Sequence, residues 1–101
     1  MFSLASVKAR TYEFEDPDTG MPLRIKPPKL AVLQRFNAVF SDDNTTPAEA
    51  AEVLAEVIGH NTDGEKITGD MVAEWMDIDQ MTAFVGDFLG WLNKRKTADP
   101  N

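Results

Sequence analysis

The residue types that perform acid–base, nucleophilic or metal chemistry are sparse in this chain. It contains one histidine and no cysteine, which excludes a thiolate nucleophile, a disulfide framework and a cysteine-ligated zinc or iron–sulfur site. His60 stands in a polar segment, with Asp63 and Glu65 close behind it. One imidazole with two carboxylates is a weak set of metal ligands. We therefore interpret His60 as a solvated or capping residue.

The carboxylates are distributed as a solvated surface rather than as a catalytic pair. Glu49, Glu52 and Glu56 fall on the polar side of one predicted helix, whereas general acid–base catalysis needs positioned groups with tuned pKa values. Residues 61–65 have the composition of a calcium loop, but Gly64 comes too early and no glutamate occupies the twelfth position. No glycine-rich run leads into a helix with a lysine. We predict a protein that is not an enzyme and that binds no cofactor and no metal.

The most informative pattern lies in the last predicted helix, over about residues 78–95. Its apolar side chains occupy an arc of about 160°, which is wider than the ~100° stripe that one core requires. The members of this arc are Phe84, Val85, Phe88, Leu89, Trp91 and Leu92. The opposite side carries Ala83, Gly86 and Gly90, and each glycine costs a helix about 1 kcal/mol relative to alanine. Two glycines four residues apart on one face therefore require a reason.

Three explanations of these glycines are open at this point. The bare face permits another helix backbone to approach closely, from a second subunit or from a partner protein. Alternatively, the glycines accommodate a tight contact within the chain, or the helix bends near Gly86. Under the first explanation the predicted partner-binding residues are Phe84, Gly86, Phe88, Gly90 and Trp91.

Two tryptophans and three methionines are compatible with either a core or an interface role. We interpret Trp75 and Trp91 as core aromatics, although Trp91 lies at the edge of its arc and is the better interface candidate. Met71, Met76 and Met81 cluster at the junction of the last two predicted helices. Flexible thioethers at such a junction either fill the core or adapt to a partner.

A predicted hairpin precedes the helices. Residues 11–15 and 23–26 each alternate apolar with charged side chains, as half-buried strands do. They flank a turn-forming Asp-Pro-Asp-Thr-Gly segment, and acids on the first strand face bases on the second. The apolar face of this hairpin consists of Tyr12, Phe14, Leu23 and Ile25. Helices have to cover that face because an isolated hairpin is marginal in water.

Two helices are predicted next. Pro27 and Pro28 are expected in the first turn of a helix over about residues 29–40, whose apolar positions are Leu30, Leu33, Phe36 and Phe40. The second helix begins at a capping box of Thr46 and Glu49, with a proline at its first position. It is expected to stop at Gly59, where a polar loop to residue 66 begins.

The last two helices complete the predicted architecture. Thr68 caps the third helix, and a second capping box formed by Asp77 and Gln80 opens the fourth, whose last turn is basic. We predict one domain over residues 1–101: an extended part over about residues 1–28, a helical body over about 29–96 and a frayed tail over 97–101. The fold class is mainly α with about four helices and a short N-terminal β-hairpin, or α+β by strict count.

The net charge of −7 is unevenly distributed along the chain. Residues 1–40 carry +2, residues 41–93 carry −11 and residues 94–101 carry +2. An acidic body argues against binding to a phosphate backbone, so no nucleic-acid partner is expected. No apolar run approaches the ~20 residues of a membrane span, and the first residues do not have the pattern of a signal peptide.

The order of these features resembles a known family. The relevant segments are Asp-Thr-Gly-Met-Pro-Leu at 18–23, Lys-Pro-Pro-Lys-Leu at 26–30, residues 67–80, Phe-Leu-Gly-Trp-Leu at 88–92 and the closing Asp-Pro-Asn at 99–101. They are similar to the small, acidic, helical tail assembly chaperones of long-tailed bacteriophages and prophages.

The resemblance implies an assembly factor that works in the cytoplasm of the bacterial host and is not part of the mature virion. Members of this family bind the tape measure protein, keep it soluble and are displaced as tail tube subunits polymerise. The implied partners are therefore the tape measure protein, the tail tube protein and further copies of the chain itself, with no membrane partner. Two alternatives remain: a structural head–tail connector or tail accessory subunit, and an acidic regulator that mimics nucleic acid.

Overall fold

The computed structural model describes the backbone of residues 1–97 and the side chains of residues 1–94. A 3₁₀ turn at Leu4–Ser6 precedes strands β1 (Tyr12–Glu15) and β2 (Pro22–Ile25). Four helices follow: α1 (Leu30–Ser41), α2 (Pro47–Gly59), α3 (Gly69–Trp75) and α4 (Ile78–Thr97). The chain is 55% helical, which confirms the predicted mainly α fold with an N-terminal hairpin. The predicted tail beyond residue 97 lies outside the described residues.

The hairpin forms as the alternating pattern predicts. β1 and β2 are antiparallel, with Tyr12 opposite Ile25 and Phe14 opposite Leu23. Gly20 closes the turn with a φ of +74°, a left-handed conformation that glycine adopts at little cost. Leu23 and Ile25 are buried in the core. Within the described chain, β1 has β2 as its one strand neighbour, so the other edge of β1 is unpaired.

α2 is the central element of the fold. Thr46 and Glu49 form the predicted capping box, and α2 packs against α1, α3 and β2. Seven of its thirteen residues are buried: Ala50, Ala51, Val53, Leu54, Ala55, Val57 and Ile58. Phe36 from α1, Val72 from α3 and Phe88 from α4 meet this surface in one hydrophobic core.

The beginning of α1 differs from the prediction. The helix starts at Leu30, so Pro27 and Pro28 precede it rather than forming its first turn. The chain stays extended there because the N–H of Lys26 donates to the carbonyl of His60 over 2.8 Å, and a residue followed by proline disfavours the helical conformation. Leu30 was expected in the apolar stripe, but 79% of it is exposed, because α1 turns Val32, Phe36, Val39 and Phe40 toward the core instead.

The segment after α2 also differs from the predicted polar loop. Gly59 is the last helical residue but does not have the positive φ of a glycine stop. α2 ends instead where residues 60–62 take an extended path along β2, with a bridge between Asn61 and Ile25 and a 2.9 Å hydrogen bond from the N–H of Thr62 to the carbonyl of Arg24. Residues 60–62 therefore extend the sheet, because they lie beside β2 as a short stretch of extended chain.

The two remaining helix starts are those predicted from the sequence. The Thr68 hydroxyl accepts from the N–H of Met71 over 3.2 Å at the start of α3. At the start of α4, the Asp77 carboxylate accepts from the N–H of Gln80 over 2.8 Å, and the Gln80 side chain accepts from the N–H of Asp77 over 2.9 Å. α4 includes the basic positions 94–96 in its backbone. Over the described residues, no helix combines the length and the hydropathy of a membrane span.

Candidate partner-binding surfaces

The inner face of α4 belongs to the core of the chain. Phe88 is fully buried and Phe84 is 8% exposed. Their rings lie 5.7 Å apart, and the Tyr12 ring of the hairpin packs edge-on against both, at 5.9 and 5.3 Å. Phe84 and Phe88 were predicted as partner-binding residues. In this conformation both side chains pack internally, so the exposed part of the predicted surface is reduced to Gly86, Gly90 and Trp91.

The outer face of α4 is open at both glycines. A Cβ atom placed on Gly86 or Gly90 would meet nothing within 4 Å outside its own helix. This observation rules out the explanation that the glycines serve a tight contact within the described chain. They form part of a groove of about 400 Å³, lined by Tyr12, Gly86, Asp87, Gly90, Trp91 and Lys94. We call this surface the α4 groove.

Trp91 borders the α4 groove and is half-buried. The Arg10 guanidinium packs over the indole ring, with its central carbon 4.2 Å from the ring centroid. The same guanidinium donates to the backbone carbonyls of Trp91 and Leu92 over 2.9 and 2.8 Å. A cation near the C-terminal end of a helix interacts favourably with the helix dipole. Arg10 therefore ties the chain ahead of β1 to the C-terminal part of α4.

Tyr12 and Asp87 form the polar side of the α4 groove. The Tyr12 hydroxyl donates to Oδ2 of Asp87 over 2.6 Å. Burial of the phenol, with the hydrogen bond and negative charge of Asp87, raises the pKa of Tyr12 above its ordinary value. Tyr12 therefore stays protonated at neutral pH and acts as a hydrogen-bond donor.

A second open surface lies at the other end of α4. It is a cleft of about 360 Å³ between the α1–α2 connection, α3 and the beginning of α4. Its apolar lining residues are Val39, Phe40, Pro47, Ala50, Ala51, Val72, Ala73, Met76, Ile78 and Met81. Asp42 and Asp77 also line it, and 69% of Ile78 is exposed. We call this surface the apolar cleft.

The residues considered for metal or acid–base chemistry have structural partners. Asn61 is buried; its amide nitrogen donates to the carbonyl of Ile58 over 2.9 Å, and its oxygen accepts from the N–H of Glu65 over 3.0 Å. Asp63 pairs with Arg24, and the hydrogen bond from the Arg24 backbone N–H is the main cause that lowers the pKa of Asp63. Within the described residues, no group of three or more His, Asp or Glu side chains could hold a metal ion.

His60 follows α2 and is half-buried. Burial, followed by the positive charges of Lys26 and Lys29, lowers the pKa of His60. The imidazole is therefore neutral at pH 7, since its ordinary pKa is about 6.5. This environment disfavours a positive charge on the ring. The charged groups that act on His60 are lysine ammonium groups rather than carboxylates.

Trp75 and the methionines occupy intermediate positions. Trp75 packs against Phe14 with ring centroids 5.9 Å apart and donates its indole N–H to Asp18 over 3.1 Å. Met71 is half-buried. Met76 and Met81 pack against the core and also line the apolar cleft, so they fill part of the core, and adaptation to a partner stays a prediction.

Three structural features were not predicted from the sequence: the contact of Arg10 with α4, the burial of Asn61 and the apolar cleft. Arg10 contacts residues more than eighty positions away, and the cleft is assembled from several helices, so no local pattern reveals either feature. The Asn-Thr-Asp-Gly stretch is the one local signal, because asparagine and aspartate side chains stabilise turns.

No protein-family model, no curated protein and no solved structure matches this chain.

Proposed function

We propose that this chain is a tail assembly chaperone of a long-tailed bacteriophage or prophage, which binds a helical segment of the tape measure protein in the α4 groove. The observation that carries the proposal is the open space at Gly86 and Gly90. Each glycine weakens α4 by about 1 kcal/mol relative to alanine. Because the described chain makes no use of the missing side chains, a neighbouring backbone is the reason we assign to them.

The chemistry of the α4 groove suits a helix better than a small molecule. Thr82, Ala83, Gly86 and Gly90 are small and exposed, so a partner helix can approach the backbone of α4 closely. Trp91 offers a partly exposed aromatic edge, a residue type that is enriched at the energetic centre of interfaces. An amphipathic partner helix would place its apolar stripe across these residues, as in other helix-in-groove complexes.

The acidic body supports a soluble assembly factor that avoids nucleic acid. Net negative charge favours solubility and repels phosphate backbones. Under this proposal the protein acts in the host cytoplasm, keeps the tape measure protein soluble and leaves as the tail tube forms. The resemblance of its sequence segments to tail assembly chaperones supplies the identity of the partner.

The experiment is a binding titration of the chain against a purified fragment of the tape measure protein encoded in the same genome. Gly86→Leu and Gly90→Leu are expected to weaken binding at least tenfold by filling the α4 groove. Their matched control is Ala38→Leu, which adds a leucine at an exposed position of α1. Leucine is a better helix former than glycine, so the test variants are not expected to unfold.

Three outcomes would contradict the proposal. Equal binding by the Gly86→Leu, Gly90→Leu and Ala38→Leu variants would exclude the α4 groove as the site. Detection of the protein in purified virions by mass spectrometry would favour a structural connector or accessory subunit. If the chain captures a DNA-binding enzyme and does not bind the tape measure fragment, the acidic regulator becomes the better explanation.

A further inference from the structure

The first nine residues form an arm that none of the core elements covers. Phe2 is 75% exposed, Leu4 82% and Val7 53%. The arm nevertheless has local structure, because Leu4–Ser6 is a 3₁₀ turn capped by the hydroxyl of Ser3. A turn that presents large apolar side chains to water is a feature that contact with another surface would stabilise. We call residues 1–9 the N-terminal arm.

The apolar cleft has the size and polarity to receive such side chains. Its volume is about 360 Å³, whereas an apolar cavity of about 150 Å³ holds one benzene ring. The cleft therefore accommodates about two large apolar side chains. Ile78 at its mouth is itself 69% exposed, so an incoming side chain would cover apolar surface on both sides.

The charges of the two surfaces are complementary. The N-terminal arm contains Lys8 and no acidic residue. The apolar cleft is lined by Asp42 and Asp77, and it lies in the part of the chain where residues 41–93 carry −11. Opposite charges at the border of an apolar contact favour its correct orientation and its rate of formation.

The arm does not occupy the cleft of its own chain. None of the residues that line the apolar cleft belongs to residues 1–9, and Phe2 and Leu4 stay 75% and 82% exposed. The arm leads into Arg10, whose guanidinium is held at the carbonyls of Trp91 and Leu92, whereas the cleft lies at the beginning of α4. These observations favour the arm of a second copy as the occupant of the cleft.

We propose that the N-terminal arm of one copy of this chain inserts Phe2 and Leu4 into the apolar cleft of a second copy, with Lys8 beside Asp42. Two copies that exchange arms reciprocally form a closed dimer, whereas one-way exchange adds further copies. This contact uses surfaces separate from the α4 groove. The inference therefore does not depend on the identity of the tape measure partner.

The test is the molar mass of the full chain, without any added N-terminal tag, measured by sedimentation across a wide concentration range. We expect the mass to rise above the 11.2 kDa of one chain as concentration increases. The arm variant Phe2→Ser/Leu4→Ser and the cleft variant Ile78→Ser are each expected to weaken association at least tenfold. Leu30→Ser is the matched control, because Leu30 is 79% exposed but belongs to neither surface.

Mixing the two defective variants makes the test specific. The arm variant retains an intact cleft, and the Ile78→Ser variant retains an intact arm, so the mixture is expected to recover one arm–cleft contact and to associate. A charge exchange provides a second check: Lys8→Glu is expected to weaken association, and adding Asp42→Lys is expected to restore it.

Three results would overturn the inference. The first is a wild-type chain that stays at the mass of one copy at every concentration. The second is association that the arm and cleft variants leave unchanged, and the third is a mixture of variants that does not associate. Because Gly86→Leu and Gly90→Leu leave both the arm and the cleft intact, they should not alter the mass. A failure of the α4 groove is therefore distinguishable from a failure of arm exchange.

Discussion

α2 and α4 begin in the same way but use their outer faces differently. Both start at a capping box, and both place apolar side chains in the shared core. In α2, seven of thirteen residues are buried, and its position between the other elements accounts for its composition. In α4, Gly86 and Gly90 face open space. Packing within the described chain therefore accounts for the apolar residues of α2 and for the inner side of α4, but not for the two glycines of α4.

The largest predicted effect is a loss of stability, and it tests whether the inner faces of α2 and α4 contribute equally to the core. Phe88→Ala in α4 should lower the free energy of unfolding by about 3–5 kcal/mol, and Leu54→Ala in α2 by about 2–5 kcal/mol. Both side chains are fully buried, so each truncation removes apolar contacts and leaves a cavity. Urea denaturation followed by circular dichroism measures these changes.

The control for this pair is Ile78→Ala, since most of Ile78 is exposed and surface substitutions usually change stability by less than about 0.5 kcal/mol. A small effect of Phe88→Ala, similar to that of Ile78→Ala, would mean that α4 is not part of the folding core. The inner faces of α2 and α4 would then not be equivalent.

The second prediction has the opposite sign. Gly86→Ala and Gly90→Ala should each raise the free energy of unfolding by about 1 kcal/mol, because the added methyl group meets no neighbour. Ala38→Gly at an exposed position of α1 is the reverse control, with an expected loss of similar size. Thermal and urea unfolding of the single and double variants measure the effect. Destabilisation by Gly86→Ala would show that α4 needs the glycine for its own conformation.

The third prediction concerns the equivalent beginnings of α2 and α4. Thr46→Ala and Asp77→Ala should each cost about 1 kcal/mol, because each removes a side chain that accepts a hydrogen bond from the first turn. Thr46→Ser and Asp77→Asn retain an accepting oxygen, so they should retain most of the stability. Unequal losses for the two alanine variants in urea unfolding would show that one helix depends more on its cap than the other.

The smallest predicted effect is a change in the pKa of Tyr12, whose hydroxyl donates to Asp87 at the outer side of α4. Tyr12 is the chain's single tyrosine, so ultraviolet absorbance reports its ionisation directly. Its pKa should lie above the ordinary value of about 10, and Asp87→Asn should lower it by removing the negative charge. The raised pKa stabilises the fold fully below pH 10, and this stabilisation is lost as the pH rises through the folded-state pKa.

The distant variant Asp70→Asn provides the control for this titration, since Asp70 is an exposed acid of α3. It removes the same charge without removing the hydrogen bond to Tyr12. An ordinary titration of Tyr12 in the wild-type chain would contradict the contact between the hairpin and α4.

The sequence predicted the elements that depend on local chemistry. Alternation defined both strands, Thr46 and Asp77 marked helix starts, and spacing placed the apolar arc of α4 on the side opposite Gly86 and Gly90. These signals are local because strand alternation and helix capping act within a few residues. The mainly α fold followed from them.

The features that the sequence did not predict depend on long-range contacts. Leu30 has the spacing of a core residue but is exposed, because α1 packs against the core through Val32, Phe36 and Phe40. Asn61 appears polar and exposed, yet it is buried because it bonds the end of α2 and lies beside β2. Spacing placed Phe84 and Phe88 opposite Gly86 and Gly90, but it did not show that the chain itself covers the two phenylalanines. That coverage depends on where the hairpin lies.

The unpaired edge of β1 has a consequence for the behaviour of concentrated solutions. A free strand edge can hydrogen-bond to the same edge of another molecule and begin aggregation. β1 is only four residues long, and Glu13 and Glu15 project from it as exposed side chains. Two such edges would bring like charges together, and this repulsion weakens as added salt shortens the screening distance. Ionic strength should therefore set the concentration at which the protein remains free of sheet-mediated aggregates.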